Sequence, residues 1–106
     1  MSEKKLTLTE TLGADRVLTA AEFSNYGTIH LDPAGARNVD LPVATTLQGQ
    51  SILIRNAADA AETITLRLTS GGATVATIDQ NESALVFCHG TVAPTFTAVV
   101  LKVGAT

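Results

Sequence analysis

Short runs in which apolar and polar residues alternate constrain the fold of this chain more than any other sequence feature. In one of them, Ile64, Leu66 and Leu68 alternate with polar residues, which is typical of a half-buried β-strand. Similar runs recur at a spacing of roughly ten residues, with Gly, Pro, Asn or Asp between most of them. The pattern therefore predicts a fold built mostly of short strands.

Helical signals are almost absent from the sequence. Thr19 is followed three residues later by Glu22, a capping box that predicts one short helical turn. Because strands do not alternate with helices, a βαβ fold is excluded. We expect an all-β fold of about eight short strands with one short helical turn, arranged as an antiparallel β-sandwich, a jelly-roll-like domain or a small barrel.

The length of 106 residues predicts one β-domain over residues 1–106. Residues 1–10 are expected to form an N-terminal arm or strand, because a charged start is followed by alternating Leu6 and Leu8. This start does not resemble a secretory signal, and no apolar run approaches the roughly 18 residues that span a membrane. We expect a soluble protein with no membrane partner, made in a cytoplasm.

The charge of the chain bears on its partners. The net charge is −3, and the seven Lys and Arg residues are scattered among ten Asp and Glu residues, whereas binding to a phosphate backbone needs clustered basic residues. We therefore expect no nucleic-acid partner. The charged fraction of 16% is low, which suits a surface that packs against another protein.

No pattern in the sequence predicts catalysis. Cys88 and His89 are adjacent, but neighbouring residues in a strand point to opposite faces, so they cannot form a dyad. Cys88 is expected to be a small buried hydrophobic residue. Catalysis by paired carboxylates is not indicated either, because Asp32, Asp40, Asp79 and Glu82 are all expected in or beside turns, where Asp commonly bonds the local backbone. We predict a protein that is not an enzyme, with no catalytic residues and no cofactor.

Metal binding is also not expected from the sequence. His30 shares a strand face with Asp32, but His89 lies far away along the chain, whereas metal ligands are usually closely spaced. The one route that stays open is a trimer in which three copies of one histidine meet on the axis.

The last run, residues 95–103, is apolar on both faces. Phe96 lies on one face, and Val99, Leu101 and Val103 lie on the other. Such a strand lies either between two layers or at a subunit interface, and both alternatives stay open. Left uncovered at a sheet edge, it would promote aggregation.

The order of motifs between residues 15 and 56 carries a family resemblance. The motifs are DRVLTAAE at 15–22, IHLD at 29–32, VDLP at 39–42 and LQGQSILI at 47–54. This order resembles the small all-β capsid decoration, or cement, proteins of tailed bacteriophages. Similar modules occur in phage head fibres and tail-associated proteins.

The resemblance implies a homotrimer on the outer capsid surface of the virion, made in the host cytoplasm. Such a protein binds the major capsid protein and stabilises the head through many weak contacts that act together. The N-terminal arm is expected to add a strand to a capsid-protein edge. The expected capsid-contact residues are Lys4, Lys5, Leu6 and Leu8. The expected trimer-interface residues are Phe96, Val99, Leu101 and Val103.

The alternative function is a host-recognition or glycan-binding module of a phage head fibre or tail fibre. It requires an exposed aromatic or carboxylate cluster, for which Tyr26, His30 and Asp32 are the candidates. With no Trp, one Tyr and three Phe, the chain lacks the aromatic platform that such sites commonly use. Tyr26 and Phe23 are expected to close one open end of the domain.

Overall fold

The computed structural model describes residues 6–69, 71–90 and 94–102. The strands are β1 Leu6–Leu12, β2 Arg16–Val17, β3 Tyr26–Pro33, β4 Arg37–Asp40, β5 Ser51–Asn56, β6 Ile64–Arg67, β7 Thr74–Ile78, β8 Ser83–His89 and β9 Thr95–Leu101. Helix α1 spans Ala20–Asn25, and a 3-10 turn spans Ala44–Thr46. Over this part of the chain, the prediction of a mostly β fold with one short helix is confirmed.

The strands form two mixed sheets through which the chain winds. Sheet A has the order β1-β3-β5-β8-β9, and sheet B has the order β2-β4-β6-β7. The chain therefore passes from sheet A to sheet B three times, in β1–β2, β3–β4 and β5–β6. We call these three strand pairs the first, second and third coils of the chain, and each coil lies beside the one before it. Strands β7, β8 and β9 complete the sheets with antiparallel pairings.

The expectation of an antiparallel arrangement is wrong. Of the seven strand pairings among the described residues, four are parallel, namely β1–β3, β2–β4, β3–β5 and β4–β6. A period of two identifies a strand but does not give the direction of its neighbour. Parallel neighbours need a crossover, for which a helix is the usual solution. Here each crossover passes through a strand of the opposite sheet, and the crossover from β1 to β3 also contains α1.

Helix α1 begins at the predicted capping box. Thr19 Oγ1 accepts a hydrogen bond from the Glu22 amide at 3.1 Å, and Glu22 Oε1 accepts one from the Thr19 amide at 2.9 Å. Both bonds satisfy amide groups that would otherwise lack partners at the helix start. The helix buries Phe23, whose ring meets that of Phe96 edge to face at 5.4 Å. Tyr26, which follows the helix, packs half-buried against the same core.

One hydrophobic core is shared by the two sheets. Inward residues such as Ile29 and Ile54 of sheet A and Leu66 and Ile78 of sheet B are fully buried in it. Each such side chain contributes about 1.5–3 kcal/mol through its removal from water. In the described part of the chain two polar residues, Asp40 and Asn56, are also buried, and Asn56 is fully enclosed. The shared core leaves the outer faces of both sheets at the surface of the protein.

Candidate functional site

The outer face of sheet B carries paired charges, with the exposed Val17 in the same cross-strand row. Arg67 Nε donates to Asp40 Oδ1 at 2.8 Å across strands β4 and β6. Beside them, the carboxylate of Asp15 accepts hydrogen bonds from the backbone amide and the side-chain amide of Asn38. These bonds hold the pKa of Asp15 below its ordinary value. A face with paired charges of this kind is typical of a solvated surface.

The outer face of sheet A is apolar on its β8–β9 side. The strand register aligns Leu53, Leu85 and Val99 in one row across three adjacent strands. Phe87 and Leu101 lie beside this row on the same face, and the exposed fractions are 39% for Phe87, 50% for Val99 and 48% for Leu101. We call these five residues the apolar patch. Contiguous exposed apolar residues of this kind mark interaction sites.

Strand β9 lies beside the apolar patch and is one edge of sheet A. It pairs with β8 over all seven residues without a register shift, and among the described residues no further strand of sheet A pairs with it. Natural edge strands are usually blunted by charges, Pro or bulges, but β9 reads TFTAVVL. The opposite edge, β1, contains Glu10 and a register shift after Leu6. Of the two edges of sheet A, β9 is therefore better suited to pairing with another chain.

The residues expected at a trimer interface divide between the two faces of β9. Phe96 points into the core, where it is 7% exposed and contacts Phe23. Val99 and Leu101 lie on the outer face within the apolar patch, and Val103 lies outside the described residues. The strand is apolar on both faces because one face covers the core of the monomer. Phe96 therefore belongs to that core and not to the exposed surface.

The residues expected to contact a capsid are only partly described. Leu6 is 65% exposed at the start of β1, and Leu8 is half-buried against the core. Lys4 and Lys5 lie outside the described residues. From Leu6 onward the chain is already a strand paired with β3, so Leu6 is the part of this group that the structure places at the surface.

A charged network lies at the end of the first coil. Arg16 donates to Glu10 at 2.8 Å and to Glu22 at 2.7 Å. Its guanidinium lowers the pKa of Glu22 to about 2 and also lowers that of Glu10, while the two carboxylates raise the pKa of Arg16. Glu10 lies in register with the buried Leu31, so the network covers core residues of the second coil. End coils of stacked folds need such a polar outer surface.

The adjacent cysteine and histidine lie on opposite sides of β8. Cys88 is buried, with Sγ at 3.4 Å from the carbonyl oxygen of Ala44, and burial raises the pKa of its thiol. His89 is exposed, with Nε2 at 2.5 Å from Thr97 Oγ1. The prediction that these two side chains do not form a dyad is confirmed. A raised pKa also keeps the thiol protonated and weakly nucleophilic near neutral pH.

A cluster of three carboxylates lies where the second and third coils pass from sheet A to sheet B. One oxygen of each of Asp32, Asp59 and Glu62 lies within 4.8 Å of the other two. The sequence places Asp32 beside His30, but His30 lies in register with Arg55 on the face of sheet A and is not part of this cluster. No spacing in the sequence reveals the cluster, because only the parallel stacking of coils brings its members together.

Comparisons with known proteins do not assign this chain to a family. The chain matches no protein-family model, no curated protein and no solved structure. In the part of the chain that the structure describes, no helix is both long and apolar enough to cross a membrane.

Proposed function

We propose that this protein is a structural component of a virion: a homotrimeric decoration protein that binds the outer capsid surface and stabilises the head. In this proposal the protein binds the major capsid protein and performs no catalysis. It needs no cofactor, and it is made in the host cytoplasm before it joins the capsid. The motifs between residues 15 and 56 support the proposal through their resemblance to phage decoration proteins.

The apolar patch beside the β9 edge of sheet A is the observation that most favours this function. Val99 and Leu101 expose about half of their surface to water, and an edge strand without charge or Pro promotes uncontrolled pairing. Closed symmetric association covers such a surface on every copy. Oligomerisation through this side leaves the rest of the molecule free to bind a capsid.

The architecture that we infer for this role is a two-layer β-sandwich, with sheets A and B as its layers around the shared core. Leu6, exposed at the start of β1, then lies at the end of the N-terminal arm that we propose as the capsid contact. In that role, Lys4 and Lys5 supply charge and Leu6 supplies apolar area.

The trimer is tested by static light scattering on the purified protein at micromolar concentration. We expect a mass three times that of the 11.0 kDa chain. A stable monomer over the whole concentration range would contradict the proposal.

Capsid binding is tested with a variant that lacks residues 1–5. Capsids of the phage that encodes this chain, stripped of the protein, are incubated with either form and then sedimented. We expect the shortened protein to keep its circular dichroism spectrum and its trimeric state but to occupy fewer capsid sites. Equal occupancy by the two forms would show that the arm does not contact the capsid.

A further inference from the structure

We propose that protonation of His89 weakens association through the apolar patch, so that the trimer dissociates as the pH falls below neutral. This regulation rests on the proposed trimer and acts on the same surface. His89 follows Leu85 and Phe87 as the next outward residue of β8, and it is exposed. Successive outward side chains of a strand are about 7 Å apart. Association that covers Phe87 therefore brings the imidazole to the rim of the contact.

The imidazole lies in a cavity that offers it no charged partner. The cavity has a volume of about 430 Å³ and is lined by Gly49, Gln50, Phe87, Cys88, His89 and Thr97. The other titratable group in this lining is the Cys88 thiol, which stays neutral because burial raises its pKa. His89 Nε2 contacts Thr97 Oγ1, and a hydroxyl can donate or accept. It stabilises neither protonation state by charge.

The chain segments around the cavity are also free of charge. Residues 41–54 and residues 83–101 contain no Asp, Glu, Lys or Arg. Helix α1 reaches the cavity lining through Ser24, which donates to Gln50, but its acidic residue Glu22 is paired with Arg16.

The charged residue of β5 on this face lies far from the cavity. Arg55 is in register with Ser83, six residues along β8 from His89 and thus about 20 Å away. An imidazolium at position 89 is therefore neutralised by water and salt alone, as long as the surface is uncovered.

Covering the surface removes that water. A charge that loses its hydration without gaining a partner is strongly unfavourable, so the trimer takes up the neutral imidazole and the free chain takes up both forms. An imidazole with its ordinary pKa of about 6.5 is about 10% protonated at pH 7.5 and about 90% protonated at pH 5.5. If each of three copies must lose its proton, the protein concentration at half dissociation rises about 30-fold between these pH values.

This pH window separates histidine from the other titratable side chains. Carboxylates such as Glu22, whose pKa is about 2, stay ionised at both pH values. The chain has two histidines. The second, His30, lies in register with Thr9 and Arg55 on β3, two strands away from β8. It supplies the matched control.

The test is static light scattering on the full chain at pH 7.5 and pH 5.5 and constant ionic strength. The protein concentration is about ten times that at which wild type is half dissociated at pH 7.5. Wild type is compared with His89→Gln and His89→Asn, which carry a neutral amide at the cavity, and with His30→Gln. Circular dichroism at both pH values checks that each protein stays folded.

We expect wild type and His30→Gln to be trimers at pH 7.5 and mostly monomers at pH 5.5, and to reassociate when the pH is raised again. At least one of the two His89 variants should keep the trimer at both pH values. Dissociation of both variants at pH 5.5, monomers of both at pH 7.5, or a stable trimer of His30→Gln at pH 5.5 would overturn the role of His89. A wild-type trimer of constant mass would overturn the switch alone, whereas a monomer already at pH 7.5 would contradict the trimer itself.

Discussion

At the scale of single residues, buried polar side chains hold the turns between the sheets. Asn56 Nδ2 donates to the carbonyl oxygens of Glu62 and Ile78, and its Oδ1 accepts from the amide of Ala58. One side chain thus satisfies three backbone groups that belong to the third coil and to β7. The sequence does not reveal this role, because an Asn at the end of a strand usually indicates only a turn.

Replacing Asn56 should therefore destabilise the protein strongly. We expect Asn56→Ala to lower the free energy of unfolding by about 3 kcal/mol, because three backbone groups lose their partner and a small cavity is left. Urea denaturation followed by circular dichroism measures the change. Asn25→Ala, at an exposed position at the end of α1, is the matched control and should change stability by less than about 0.5 kcal/mol. Equal effects of the two substitutions would contradict this role.

The charged network around Arg16 makes stability depend on pH. Its guanidinium lowers the pKa of Glu22 from the ordinary 4.5 to about 2. A carboxyl whose pKa is lower in the folded state stabilises the fold above the unfolded pKa, and this contribution is lost as the pH falls through the folded pKa. The stabilisation is thus complete above about pH 5 and declines between pH 4.5 and pH 2.

Arg16→Met tests this network. At pH 7 we expect it to lower the free energy of unfolding by about 1–2 kcal/mol, because two carboxylates lose a charged donor. The difference between wild type and variant should narrow steadily as the pH falls from 5 to 2.5, as measured by urea denaturation at each pH. A difference that stays constant over this range would show that Arg16 acts through packing alone.

At the scale of elements, the sequence predicts what is local and misses what depends on the neighbouring strand. The capping box at Thr19 and Glu22 predicts α1 because both partners lie within one helical turn. The alternation of Ile64, Leu66 and Leu68 predicts β6, although the strand ends at Arg67 because the turn begins earlier than the pattern suggests. Parallel stacking and the carboxylate cluster escape prediction, since they depend on which coils become neighbours.

The hairpin between β6 and β7 gives a prediction at this scale. Gly71 has a φ of +74°, a conformation that side chains with a Cβ adopt at a cost of about 1 kcal/mol. We expect Gly71→Ala to destabilise the protein by about 1 kcal/mol, as read from the urea midpoint. Gly13→Ala is the control, since an added Cβ there meets no atom within 4 Å and the φ is not positive. It should be neutral or slightly stabilising.

At the scale of the whole molecule, the outer faces of the two sheets differ in the side chains that they expose to water. Sheet B carries paired charges such as Asp40 and Arg67, whereas the β8–β9 side of sheet A carries the apolar patch. Composition predicts only that some surface is poor in charge. The location of that surface follows from the register of β5, β8 and β9, which aligns side chains that are far apart in sequence.

The proposed association through this side is tested by Val99→Glu. A carboxylate in the middle of the apolar patch keeps the monomer soluble but must lose its water when two copies meet, which is strongly unfavourable. We expect light scattering to show a monomer, with an unchanged circular dichroism spectrum and a loss of less than about 1 kcal/mol of stability, because Val99 is half exposed. Thr9→Glu adds the same charge to an exposed position of β1 on the same sheet and should leave the oligomer intact. If Val99→Glu keeps the wild-type mass, association does not use the apolar patch.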